Sequence, residues 1–544
     1  MADISFSVTG SSGTSGLGTV VASQTSVTGL ISFATTSTST TVTVSHASHG
    51  AVTGSSVIFS NVTFGSSSSY DSLVTLLTGE FVITVLGIND YTVTLSSNAG
   101  FDLVASGTSD ADYLLNKGSV SQLLGTGWGA DTWGAGGWGL AASDAITLDE
   151  GLRIWKQDNF GEDLILLPKN GQLYYWDKTT GLTDRAFPFL SRTPDAPTAN
   201  RNVLVSDRDR HVIVFGTTPI GSTTLDPLLI RFSSQEDPFD WFPTSTNTAG
   251  DLRVGSGSEI VAAIETRREI IVITDTSVHS LQFIGAPFTF GISQVSGNIT
   301  IRNTNAAIAN NDTVFWMGVD RFYLYDGRVQ PIPCTVKDYV FEDFDSTNSE
   351  KVVAGLNTSY GEVIWFYPSA SGNTGENDRY VIYNYEEKVW YYGNLARSAW
   401  LDRGIYEYPF AATNESDSVS ASTLYRHEVG NNADDLALTA FIDSSPIDIA
   451  DGEQFALIRR FIPDIDFSSS TTGATKEATY TLKGQRYPGT GFTTNDAFTV
   501  SSTTEQKNSR VRGRSFGIKV QSSGSGVAWR LGSNRVDVKT DGRR

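Results

Sequence analysis

Apolar and polar positions alternate along most of this chain. The runs Thr40-Thr41-Val42-Thr43-Val44, Phe81-Val82-Ile83-Thr84-Val85 and Tyr91-Thr92-Val93-Thr94-Leu95 repeat β-branched or aromatic residues with a period near two, and Val57-Ile58-Phe59 adds a short apolar run. That period puts successive side chains on opposite faces of a strand. Gly50, Gly54 and Asn89-Asp90 punctuate these runs as turns. The pattern predicts a small antiparallel β module over residues 25–120, set apart by its Ser/Thr/Val/Gly composition and its single basic residue, Lys117.

From about 150 to 430 the pattern changes to a loose repeat of strand, turn, strand and aromatic ending. Its units run through Asp163–Asp177, Val203–Phe232, Ile260–Phe283, Thr313–Gly327, Lys351–Tyr383 and Tyr408–Tyr425. A spacing of roughly 40–60 residues with three or four strands per unit suits the four-stranded blades of a β-propeller. No long amphipathic helix pattern interrupts the series, which disfavours an α/β fold. Beyond 437 the strands alternate more cleanly, as in Ala478–Leu482 and Ser515–Val520, and suit a closing blade or a small sandwich. The expected fold class is all-β: a β-propeller-like body over 121–436, to which 1–24 contributes a strand, an inserted N-terminal β module over 25–120, and a C-terminal β region over 437–544.

Three Trp-Gly pairs stand five residues apart, at Trp128, Trp133 and Trp138. A spacing of five fits neither strand nor helix. Three indoles on a glycine-rich backbone read as a looped strip with three anchors, docked on the body's own core or on a neighbouring subunit.

Charge changes the picture of partners. The chain carries a net −20, which argues against a surface built to grip nucleic acid. Lys507–Arg544 holds ten basic and two acidic residues, 10 − 2 = +8, so the remainder carries −20 − 8 = −28. The basic end on an acidic body suits subunit contact, with Arg510, Arg512, Arg514, Arg530 and Arg535 as candidate inter-subunit residues. No apolar run reaches the roughly 18 residues of a membrane helix. The stretch Met1–Phe6 lacks the basic and apolar regions of a secretory signal. The single Cys334 rules out an internal disulfide and fits synthesis in a reducing cytosol.

Catalytic patterns are weak. No Walker-type phosphate loop occurs. Gly255-Ser256-Gly257-Ser258 lacks nucleophile-elbow spacing. His46 and His49 have no cysteine or acidic cluster nearby to complete a metal site. Carboxylates such as Glu362, Asp378 and Glu386 do not announce a glycosidase pair, and His427-Glu428 reads as a loop pair. The expectation is therefore no catalytic residues, no metal and no cofactor.

Several short stretches, in order, resemble the tail nozzle or packaged-DNA stabilisation proteins of short-tailed bacteriophages. They are Gly127–Gly139 with its Trp-Gly pairs, Leu152–Trp155 through Asn159–Leu164, Tyr175-Trp176-Asp177, Arg231–Asp237, Phe315–Gly318 with Tyr325-Asp326-Gly327, Asp378-Arg379-Tyr380, His427–Gly430 and Arg530-Leu531-Gly532. The resemblance covers about 125–544 and leaves out the 25–120 block. Phe232 stands where the family has Trp. The resemblance implies a virion tail protein forming a hexameric ring below a portal-adaptor protein. Tail fibre or needle proteins would be its other partners, and viral double-stranded DNA would touch it transiently and non-specifically. Such a ring retains packaged DNA and conducts it on ejection. Two other readings stand beside it: a receptor- or glycan-binding tail module, motivated by the 25–120 block, and a glycan-cleaving propeller enzyme. If Trp133 anchors the strip as a core aromatic does, Trp133→Ala is expected to cost about 3–5 kcal/mol, measured as a lower melting temperature or lost assembly.

Overall fold

The computed structural model describes residues 3–6, 31–47, 49, 56–64, 70–78, 80–87, 89–114, 152, 154–180, 186–285, 288–414, 423–433, 436–448, 452–487 and 489–542. Trp128, Trp133 and Trp138 lie outside the described residues. Contacts divide the chain into two units. One comprises Met1–Val8, Asn357–Tyr360 and Arg397–Arg544, the other Thr9–Leu356 and Gly361–Ala396. The division thus falls near Arg397, and the strands of 399–433 group with the C-terminal region and not with the body that sequence assigns to 121–436. The protein is all-β, with small antiparallel sheets throughout and only short helices among the described residues.

In the larger unit, the N-terminal module pairs a five-stranded sheet (strands 84–85, 90–94, 41–45, 32–35 and 103–106, in that order) with a three-stranded one (80–82, 56–63, 108–114). The alternation seen in sequence becomes burial: Val42 and Val44 point inward with Phe33, Phe59, Tyr91 and Val93, while Thr41 is exposed and Thr43 part-exposed. The short helix Asp71–Leu76 adds Leu73 to this core.

Five four-stranded sheets follow in chain order, within 155–188, 200–253, 260–297, 307–332 and 353–394. Each is a meander whose neighbours in sequence are neighbours in the sheet. Their second strands are nearly all apolar: Val212–Thr217, Ile270–Thr274 and Glu362–Pro368 are buried at every position. A strand reads as a continuous apolar run when both its faces are covered. Here the two faces belong to different cores. Val212 and Val214 pack with the first sheet, and Ile213 and Phe215 pack with the third. Likewise Ile270 and Val272 face the second sheet, while Ile271 and Ile273 face the fourth. Period two thus sorts side chains between adjacent sheets, and the sheets stack face to face.

The first strands of successive sheets adjoin from the first sheet to the fourth. Polar side chains then join sheets that are not consecutive. Lys156, on the first strand of the first sheet, donates to Asn305 Oδ1 at 2.6 Å, just before the fourth sheet. Asn303 Nδ2 donates to the carbonyls of Ser349 and Val352 at 2.8 and 3.0 Å, and Lys169 pairs with Glu350 at 2.8 Å. Polar contacts at Asn303–Asn305 thus tie the first sheet and the 349–352 segment to the approach of the fourth sheet. Desolvation pulls the Lys156 ammonium down to about 8.

In the smaller unit, Ala399–Leu401, Phe410–Ala412, Leu424–His427, Asp3–Phe6, Asn432–Ala433 and Leu436–Ala437 form one sheet in that order, with Asp3–Phe6 antiparallel to Leu424–His427 and parallel to Asn432–Ala433. Further along, Ser515–Ser522, Glu477–Gln485 and Thr494–Ser501 form most of one sheet. Lys507–Gly513, Ala456–Ile462 and Arg535–Thr540 form another. Ile458, Phe461, Tyr480, Leu482, Val511 and Val520 fill one core between them. Of the two forms expected after 437, this is the small sandwich.

Trp365 is fully buried, donates its indole N–H to the Ala306 carbonyl at 3.0 Å and packs on Phe322 at 4.8 Å. It ties the fifth sheet to the approach of the fourth. Trp365→Ala is expected to cost about 3–5 kcal/mol, read from chemical denaturation; a loss within experimental error would show that the two sheets do not depend on each other.

Candidate functional site

The three-stranded sheet of the C-terminal sandwich turns a strongly basic face outward. Along Lys507–Gly513, Ser509, Val511 and Gly513 point into the core and Arg510 and Arg512 point out. On Ala456–Ile462 the register shifts between Ile458 and Arg460. A bulge of this kind adds one residue to the strand and re-aims its neighbours. Arg459 is that extra residue, so Arg459 and Arg460 are both exposed. On the third strand, Lys539 lies opposite Leu457, Asp537 opposite Arg460 and Arg535 opposite Ile462.

Six cations (Arg459, Arg460, Arg510, Arg512, Arg535 and Lys539) therefore meet two carboxylates, 6 − 2 = +4. The carboxylates are already engaged. Asp537 pairs with Arg460 at 3.7 Å, and Asp541 accepts from Arg512 Nε at 2.5 Å. Arg512 also stacks on Phe455 at 4.0 Å. Arg459, Arg510 and Lys539 enter no ion pair among the described residues. All three line a groove of about 1220 Å³ with Asp496, Asn495 and Ser509. Ser509 is 5% exposed, and its hydroxyl has no hydrogen-bond partner among the described residues.

The five arginines singled out in sequence separate here. Arg510 is in the groove. Arg512 is held by Asp541 and Phe455. Arg514 donates to the Gly452 and Glu453 carbonyls at 3.2 and 3.0 Å and lies over Phe455 and Tyr487. These last two fasten the strand Lys507–Gly513 and its end to the 452–455 turn. Arg530 is exposed on the short pair Ile465–Asp466/Arg530–Leu531, and Arg535 is exposed on the basic sheet itself. Sequence reasoning passed over Arg459 and Ser509, which lie apart in the chain; only pairing of their strands brings them together.

The other polar groups considered in sequence take up structural bonds. Glu362 accepts from Tyr391 Oη at 2.7 Å, and Asp378 accepts from the Ser369 amide and hydroxyl at 2.8 and 2.6 Å. His427 accepts from Arg397 Nε at 3.1 Å and packs on Trp400. Burial and that guanidinium hold its pKa well below the usual histidine range. His49 Nε2 lies 2.9 Å from the Gly87 carbonyl. His279 Nε2 lies 3.1 Å from Ser256 Oγ and 2.9 Å from Ser277 Oγ, so Ser256 is a turn hydroxyl sharing one ring nitrogen with a second serine. Cys334 is half-buried, and burial pushes its thiol up to about 11, away from thiolate chemistry. Among the described residues no group of three or more His, Cys, Asp or Glu is arranged to hold a metal.

A second charged feature belongs to the larger unit. Asp158 accepts from the Val205 amide at 2.8 Å and Glu265 accepts from the Asp207 amide at 3.0 Å. Carboxylates from the first and third sheets thus bind the end of the second sheet's first strand. Desolvation, then the charges of Asp207 and Asp158, push Glu265 up to about 7.

No family model matches the chain, and no curated protein shows a significant match. Among solved structures, an apocarotenoid oxygenase of Synechocystis is similar over 65% of this chain and 85% of its own, at 8% identity and a TM-score of 0.30. PorZ, a surface component of the type-IX secretion system of Porphyromonas gingivalis, is similar over 79% of this chain and 45% of its own, at 9% identity and 0.29. The endosialidase of phage phi92 is similar over 63% and 46%, at 10% identity and 0.17. Likenesses at that level assign no function.

Glu265 generates a pH prediction. Its folded pKa lies above its unfolded value of 4.5. Its stabilising contribution is therefore complete below that value and is lost as pH rises through about 7. Glu265→Gln keeps an oxygen for the Asp207 amide but does not titrate. The melting temperature of the variant relative to the parent is expected to climb between pH 4.5 and about 7 and then level off. A difference constant with pH would contradict it.

Proposed function

We propose that this chain is a non-enzymatic structural subunit of a short-tailed phage tail nozzle. In this reading it assembles into a closed ring, hexameric in keeping with the resemblance, below a portal-adaptor protein. The ring holds packaged DNA back and then conducts it.

The observation that supports this reading is the segregation of charge. Residues 397–544 hold 18 Lys and Arg and 18 Asp and Glu; with Asp3 the smaller unit carries 18 − 19 = −1, and the larger unit carries −20 + 1 = −19. Nearly all the excess negative charge thus sits on one unit, and a +4 face sits on the other. A ring needs two different, complementary patches on each subunit, so that every contact repeats until the circle closes. An acidic surface also suits a conduit, because phosphates that find few cations release few counterions and do not stick. The stacked sheets and short turns of the body suit a load-bearing part.

Electron microscopy of the purified protein is expected to show closed rings with a central opening. Duplex DNA should bind weakly, with little dependence on salt. Trimeric spikes would favour the receptor-binding alternative. Tight duplex binding with a salt slope equivalent to six or more phosphates would overturn the conduit.

A further inference from the structure

We propose that the groove beside the basic face receives an acidic segment from a second copy of this chain, presented by the neighbour's Thr9–Leu356 and Gly361–Ala396 unit; this rests on the ring reading above. Two observations point to an occupant. The groove measures about 1220 Å³. Arg459, Arg510 and Lys539 line it without carboxylate partners among the described residues.

The chemistry of the lining selects the class of occupant. Three cations with hydroxyls and amides (Thr493, Asn495, Asn508) suit carboxylates carried on a polypeptide. Asp496 and Asp541 also line the groove. A duplex would bring phosphates against both, whereas a protein segment can place an amide or a cation there. The complementary acidic surface exists on the same chain: the larger unit carries −19, and residues 31–114 hold six Asp or Glu with no Lys or Arg. Each copy thereby has a basic groove on one unit and an acidic surface on the other, and the contact is heterologous by construction.

The test uses the full chain. Sedimentation velocity would compare the parent with the Arg459→Glu/Arg510→Glu/Lys539→Glu variant, and with Lys476→Glu as a cation outside the groove. Melting temperatures would confirm folding. The triple variant is expected to raise the concentration for half-assembly at least tenfold, about the lower end for losing interfacial charge pairs, while Lys476→Glu does not. Moving from about 50 to about 500 mM salt should weaken the parent more than the triple variant. Carbodiimide cross-linking of mixed light and heavy copies should join Lys539 of one copy to an Asp or Glu of the other copy's larger unit. If the parent forms rings and the folded triple variant forms them equally well, the groove proposal fails and the ring reading stands. Should the parent remain monomeric at every concentration reached, both fail. Short duplex DNA that binds the parent and is lost in the triple variant would replace the second copy with nucleic acid and overturn the proposal.

Discussion

The body depends on burying both faces of its second strands. A sheet of four short strands needs an apolar face packed against another layer to hold together, and strands that are apolar on both faces need two such layers. Val212–Thr217 and its counterparts solve this by giving odd positions to one neighbouring sheet and even positions to the other. Each sheet is then half of two cores. Stability becomes a property of the row, and a lesion in one sheet is felt through the pair of interfaces it shares. The polar contacts at Asn303–Asn305 belong to the same arrangement: Asn303 gives the Ser349 and Val352 carbonyls a partner, and Asn305 receives Lys156 from the first sheet.

Charge is handled differently in the two units. In the larger one, carboxylates serve the frame, as Asp158 and Glu265 do in binding strand-end amides. In the smaller one, Arg512 and Arg514 serve the frame through Phe455, and the cations beside them are left over. The same residue type therefore does two jobs a few positions apart. Outward-pointing residues of one strand keep their charge unpaired only where no carboxylate among the described residues has reached them.

Much of the fold could be read from the sequence, because period-two alternation and continuous apolar runs report burial on one face or two. The apolar runs Ile270–Ile273 and Val363–Tyr367 announced strands of the repeat. The alternation over 25–120 announced a small antiparallel β module. The grouping of 399–433 with the C-terminal region was hidden, since it is set by contacts made far along the chain. The candidate site was only half visible. A cluster of arginines near the end of the chain is plain in composition, but composition cannot say that Arg514 is spent on two carbonyls. Nor can it say that a bulge at Arg459 supplies the missing cation, because a shifted register leaves no mark in the residues themselves. Ser509 looked like any strand serine until its hydroxyl was seen to face no acceptor.

The strand Asp3–Phe6 has a consequence for how the chain is made. Its partners are Leu424–His427 on one side and Asn432–Ala433 on the other, so about 420 residues must be synthesised before it can meet either. At roughly 5–20 residues per second, the early strand waits about 20–80 s with its hydrogen-bonding groups unmatched. During that time the five-sheet row can fold as it emerges, since each sheet pairs only with strands close in sequence. The waiting strand is a free edge, the kind of template on which chains join wrongly. It is also only four residues long and begins with Asp3, and shortness and a charge are the devices by which edge strands avoid premature pairing. The smaller unit is thus the last part of the molecule to be completed, and a nascent chain halted before residue 424 would carry a finished larger unit beside an unmatched strand.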